Sequence, residues 1–214
     1  MEIISDMRHT LKSVMLVALV CLVGSVLGGC YMPVRFDVEM EVTREGYYSI
    51  IFDGYLAKIP LYNDLRQKKL SHAEEKEKAE TYRKDLARDS AMSKVAYVKQ
   101  GIYSAHWEKD GDILVDKFIT FIRRNENMMS LRYVKKDGEV FLAGATIGKE
   151  QKQQLADIGL DMIGEVRLIT DAKVVGHNAA VVKDWPTRGP RFKMYIWPFN
   201  NIFAPPPNLM IKLH

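Results

Sequence analysis

The sequence predicts an α+β domain: an antiparallel sheet of about seven to nine strands with one long charged helix and one short helix. Three observations carry this. Residues 34–42 alternate apolar and charged side chains. Residues 64–88 lack Gly and Pro and are rich in helix formers. From residue 93 onward, short β-branched and aromatic runs are separated by turn residues.

The first strand places Val34, Phe36, Val38, Met40 and Val42 on one face, and Arg35, Asp37, Glu39 and Glu41 on the other. That is the pattern of a strand with one buried and one wet side. Thr43–Gly46 supplies a turn, and Tyr47–Leu56 returns as a second strand. Asp64–Arg88 reads as one long helix with favourable i,i+4 pairs such as Glu74–Lys78 and Glu80–Lys84. Its apolar stripe is thin, which fits a solvated face packed by one narrow edge. Further strands are expected over 95–107, 113–123, 130–135, 140–146, 165–176, 191–197 and 208–213, with Asp110-Gly111 and Asp137-Gly138 as hairpin turns. Lys149–Ile158 is the short helix, ended near Gly159.

Forty-seven per cent hydrophobic and 27% charged residues describe a globular protein rather than a disordered one. The net charge of +4 is concentrated late: from Glu165 onward there are seven Lys/Arg against three acidic residues. Such a bias can favour an anionic membrane surface but is too small for a nucleic-acid footprint, so no nucleic-acid partner is expected.

The N-terminus has a different character. Arg8 and Lys12 precede an almost wholly apolar run, Val14–Leu27, of fourteen residues. That is short for a bilayer-spanning helix, which needs about 20, and suits a signal peptide. The run ends in Leu27-Gly28-Gly29-Cys30. This tetrad resembles the lipobox of bacterial lipoproteins. The resemblance implies a diacylglyceryl group on the Cys30 thiol, cleavage by signal peptidase between Gly29 and Cys30, and further acylation such as palmitate on the new amino group. Residues 1–29 would then be a lipoprotein signal peptide and 30–214 a single membrane-tethered α+β domain. Tyr31, rather than Asp, follows the cysteine. In a Gram-negative cell this is similar to the pattern of the outer membrane, with the domain on the periplasmic face. A strand starting at Val34 would hold the domain close to the bilayer.

Cys21 and Cys30 are the two cysteines. With Cys21 in the signal and Cys30 acylated, the mature domain has no thiol for a disulfide, a thiol nucleophile or a Cys-ligated metal. His72, His106, His177 and His214 lie apart in sequence and form no ligand motif. No G-x-S-x-G, S-x-x-K, P-loop or GxGxxG pattern is present. No catalytic residue, metal or cofactor is therefore assigned, and a non-enzymatic role is expected.

The most unusual stretch is Trp185–Pro207, where basic and aromatic residues mix. Trp185, Arg188, Arg191 and Trp197 are candidates for contact with a membrane or partner, because amphipathic aromatics and arginine suit headgroup-level rims. The competing expectation is that Phe192, Met194 and Ile196 form the core face of a strand. The order of elements also resembles that of small lipid-binding lipoproteins of the LppM type, which carry a curved sheet over a long helix.

Three functions stay open at this level. The first is a tethered binding or envelope-organising module, with membrane lipid and an envelope protein as partners. The second is a carrier of a lipid or other hydrophobic ligand, whose sheet would enclose a cavity. The third is an exported hydrolase, which needs His, Asp or Ser converging in a cleft.

Overall fold

The computed structural model describes residues 31–123 and 126–213, with side chains described outside 123–127. Residues 1–29 and Cys30, and with them the signal and lipobox, lie outside the described residues, as does His214.

Twelve strands and four helices are present among the described residues. The strands form two sheets rather than one. β1 (Tyr31–Val42), β2 (Tyr47–Lys58), β3 (Met92–Lys99), β4 (Ile102–Asp112), β8 (Ile163–Thr170), β10 (Val181–Asp184) and β11 (Lys193–Phe199) form the larger sheet, in the order β10-β11-β8-β1-β2-β4-β3. β5 (Phe118–Arg123), β6 (Glu126–Val134), β7 (Glu139–Gly144), β9 (Lys173–His177) and β12 (Asn208–Lys212) form the smaller, in the order β5-β6-β7-β12-β9. The helices are α1 (Ile59–Arg66), α2 (His72–Leu86), α3 (Ile113–Asp116) and α4 (Lys149–Asp157). The α+β expectation holds in outline. The single antiparallel sheet is corrected: β1 pairs with β8 in parallel, and the strand total exceeds the expected range.

Several expected elements divide. The run 95–107 is two strands joined at Gln100 and Gly101, both with positive φ, the signature of a tight primed turn. Residues 165–176 turn at Asp171–Ala172, and the two halves join different sheets. Asp110 and Gly111 do not turn; they continue β4 opposite Ser49 and Tyr48. The chain reverses instead through α3, with Asp112 capping Leu114 N–H. The expected long helix is two helices, because Ser71 starts a new one. Its side chain accepts from Glu74 N–H, and the Glu74 carboxylate takes the Ser71 N–H in return.

The inner faces of the two sheets share one core. Phe36, Val38, Met40 and Val42 from β1 are buried as the alternation requires. Phe52 stacks on Phe121 across the sheets with centroids 4.6 Å apart, and Trp107 meets Phe121 edge-on at 5.2 Å. α2 covers the β3–β4 side of this core with Ala79 and Leu86; Tyr103 donates to Ala79 O at 3.2 Å and Trp107 Nε1 to Asp89 at 3.0 Å. Val34 departs from the alternation. The register shifts between Pro33 and Arg35, so a bulge turns Val34 away from the main core. It packs instead on a second, outer cluster of Met32, Ala57, Ile59, Leu155, Leu160 and Ile202.

Close strand approach requires glycine at two points beside Phe36. A Cβ on Gly54 would lie 2.3 Å from Arg35 O, and one on Gly164 would lie 2.1 Å from Phe36 O. Neither fits.

Candidate functional site

At one end of the larger sheet, the start of β1, the end of β2, the β3–β4 turn and the start of β8 meet. On the outer face there, an open groove of about 460 Å³ runs between the β3–β4 turn and the segment Gly159–Asp161. Register places Ile163, Arg35 and Tyr55 side by side on three adjacent strands as its floor. Val98, Lys99 and Gln100 form one wall, and Tyr62 of α1 with Leu160 forms the other.

Local chemistry fixes both walls. Pro60 sits in the first turn of α1, where its missing N–H costs nothing, and Tyr62 donates to Ile158 O at 3.3 Å. Gly101 presses on α1: its carbonyl accepts from Lys58 N–H at 2.9 Å, and a Cβ there would lie 2.7 Å from Tyr62 N. Gln100 holds φ +50, a left-handed conformation that costs a non-glycine residue about 1–2 kcal/mol. The lip of the groove is therefore held in a strained turn by its contact with α1.

The lining is amphipathic. Tyr55, Val98 and Ile163 are large side chains left 42%, 48% and 47% exposed. Arg35 and Lys99 carry the positive charge, and among the described residues no ion pair reaches either. Asp161 also faces the groove, but its Oδ1 is occupied by the N–H groups of Met162 and Ile202 at 2.8 and 2.6 Å. The groove can hold an anionic, partly apolar ligand.

Two residues further along the strands the same face turns acidic. Glu165, Asp37, Asp53 and His106 follow one another across β8, β1, β2 and β4. Arg167 bridges Asp37, Glu39 and Glu165 at 3.1, 3.3 and 2.9 Å. Burial works against its charge, but the hydrogen bonds to Glu165 and Asp37 prevail and hold its pKa above the ordinary value. His106 Nδ1 lies 2.5 Å from Asp53 Oδ1. This His–carboxylate pair stands on the open sheet face, outside the groove. Among the described residues, no three His, Cys, Asp or Glu side chains converge as a metal site.

Two cavities between the sheets, one lined by Phe36, Phe52, Phe121 and Val166 and one by Ala145, Ile147 and Pro207, hold only about 50 Å³ each. That is close to the volume of one or two waters.

The candidate contact residues of the tail do not act as one patch. Trp197 is corrected outright: it is 2% exposed, inside the main core, and donates Nε1–H to Asn178 Oδ1 at 2.7 Å. Both faces of β11 are buried, so alternation alone could not tell core from rim. Trp185 packs with Phe192 over a third small cluster of Ile169, Met194 and Ile196, under the Lys183 ammonium at 5.3 Å. Arg188 reaches Glu41 at 2.9 Å. Arg191 is exposed.

The groove residues were not legible as a set. Arg35 looks like any charge on a wet face, and Tyr55, Tyr62, Lys99 and Ile163 come from four separate segments. The available signal was Gln100-Gly101, a turn pair hidden inside an apparently continuous strand.

No family model and no curated protein matches this chain. Among solved structures, the folded domain of LppM from Mycobacterium tuberculosis, determined by NMR, shows a weak similarity, with 14% identity and a TM-score of 0.38 over 83% of this chain and 88% of that domain. No helix among the described residues is long and apolar enough to cross a membrane.

Proposed function

We propose that this chain is a membrane-tethered bacterial lipoprotein whose α+β domain is a non-enzymatic binding module, with the outer groove as its ligand site. The observation that carries the reading is the position of the groove. Its lining includes Val34 and Arg35, four and five residues after Cys30. At about 3.3 Å per extended residue, an acylated Cys30 lies within roughly 13–17 Å of the groove. Two or three acyl chains give a firm anchor, so the site works beside the leaflet. In a Gram-negative cell, Tyr31 after the cysteine favours the periplasmic face of the outer membrane.

The carrier reading ranks second, because two cavities between the sheets, among the described residues, are far below the volume a lipid chain needs. The hydrolase reading ranks third, because the His106–Asp53 pair stands on an open face.

The anchor is tested on the N-terminal tryptic peptide, residues 30–35. We expect the mass of a diacylglyceryl cysteine and membrane fractionation, with both lost in Cys30→Ser. An unmodified Cys30 peptide, or an uncut N-terminus in the wild type, overturns the reading.

A further inference from the structure

From the charge pattern along the strands, we infer that the groove docks the domain onto the phosphate headgroups of anionic phospholipid in the leaflet that holds its tether. The inference rests on the tethered-module reading and adds both the ligand class and the orientation.

The elements that meet at this end bring more positive charge than the groove lining alone. Arg66, one turn after Tyr62 on α1, and Lys68 and Lys69 just beyond it are exposed, and among the described residues no ion pair reaches them. Within the lining itself, Arg35 and Lys99 accompany exposed Tyr55, Val98 and Ile163, and Arg66, Lys68 and Lys69 add charge at the end of α1. Cations beside apolar and aromatic groups suit a headgroup boundary, where phosphate takes the charge and the rings and aliphatic side chains sink slightly.

Charge is also segregated along the strand axis. Asp37, Asp53 and Glu165 stand in the next outward row, about 7 Å from Arg35 and its neighbours. That separation is close to one Debye length at physiological salt. An anionic surface attracts the groove end and repels the acidic row, so the strands stand steeply on the leaflet with the acidic face away from it. The tether emerges from the same end, at Tyr31. An anionic leaflet is therefore the nearest concentrated source of phosphate.

The test uses the full chain, carried through its own processing and reconstituted in vesicles. The mature sequence has no cysteine other than Cys30, so Val98→Cys provides a single thiol for a polarity-sensitive fluorophore. Val115→Cys, 73% exposed on α3 at the opposite end, is the control. We expect a blue shift at position 98, but not at 115, in phosphatidylcholine vesicles containing about 30% phosphatidylglycerol. The shift should be absent in pure phosphatidylcholine and reversed by about 0.5 M salt. Each cation near such a surface is worth about five-fold in partitioning, so Arg35→Gln with Lys99→Gln should lower the docked-to-undocked ratio about 25-fold. A response equal in both vesicle types, no response, or a response untouched by the double substitution overturns the inference. Flotation with the vesicles reports the anchor separately. If the chain does not float and the wild-type Cys30 takes up a thiol label, the tether reading fails. Docking is then judged by adding the Cys21→Ser, Cys30→Ser, Val98→Cys chain to the same vesicles from solution.

Discussion

Gly164→Ala should destabilise the domain sharply although it adds one methyl group. The added Cβ would sit 2.1 Å from the Phe36 carbonyl oxygen and 3.0 Å from the Phe36 ring, where an ordinary contact is about 3.5 Å. Relief requires β1 and β8 to separate by more than an ångström near the start of the only parallel pairing between described strands, which runs from Arg35↔Ile163 to Glu41↔Ile169. One or two ladder hydrogen bonds would lengthen, at about 1 kcal/mol each. The ring of Phe36, packed between Phe52 and Phe199, would shift at an overpacking cost of about 1–3 kcal/mol. The sum is about 2–5 kcal/mol, a large share of the roughly 5–15 kcal/mol that holds a domain together. Urea unfolding followed by tryptophan fluorescence should show the midpoint falling by about 1–2.5 M at a slope near 2 kcal/mol per molar. Gly176→Ala is the internal control, since nothing lies within 4 Å of a Cβ there; it should stay within about 0.5 kcal/mol of wild type. If the two variants unfold together, the close-approach argument is wrong.

Other perturbations reach different parts of the molecule. Trp197→Phe keeps most of the ring volume but removes one of the donors to Asn178 Oδ1, leaving the Asn208 N–H; thermal unfolding should report a loss of about 1–3 kcal/mol. Ser71→Ala removes the cap of α2 and should lower stability by about 1 kcal/mol in the same measurement. The Glu74 carboxyl is held below its ordinary pKa by the Ser71 N–H and then the Ser71 hydroxyl, so its contribution is present above the ordinary carboxylate pKa and is lost as pH falls through the lowered value. The difference between wild type and Ser71→Ala should therefore shrink in acid; a constant difference refutes the box. Tyr97 is pushed up to about 12 by burial and then by its hydrogen bond to Glu75, and Tyr48 and Tyr103 are raised still further, chiefly by burial. Raised values mean that the neutral phenols stabilise the fold below the ordinary tyrosine pKa, and that this support is lost as pH climbs from there toward 12. Absorbance at 295 nm should show these tyrosines titrating late or only on unfolding, and a single step for all ten near 10 would contradict the packing.

The local sequence determined those features whose cause is local. The alternation from Arg35 to Val42 determined which face of β1 is buried, because side chains on a strand alternate whatever the partner. Gly138 and Gly159, both at positive φ, ended β6's turn and α4 where the sequence placed them. Leu27–Cys30 carried the anchoring proposal in four residues, since a peptidase reads an extended segment. The Ser71–Glu74 box is equally local and is written in the sequence, but the helix formers on both sides make the segment read as continuous. Tertiary structure decided the rest. Trp197 and Ile196 on opposite faces of β11 are both buried, because the main core covers one and Trp185 with Phe192 covers the other. The assignment of strands to two sheets depended on a turn at Asp171–Ala172 that no periodicity marks. The groove is the clearest case. Arg35, Tyr55, Tyr62, Lys99 and Ile163 become neighbours only when five segments meet at the same end of the sheet, and pairing across strands is a property of register, not of any one segment.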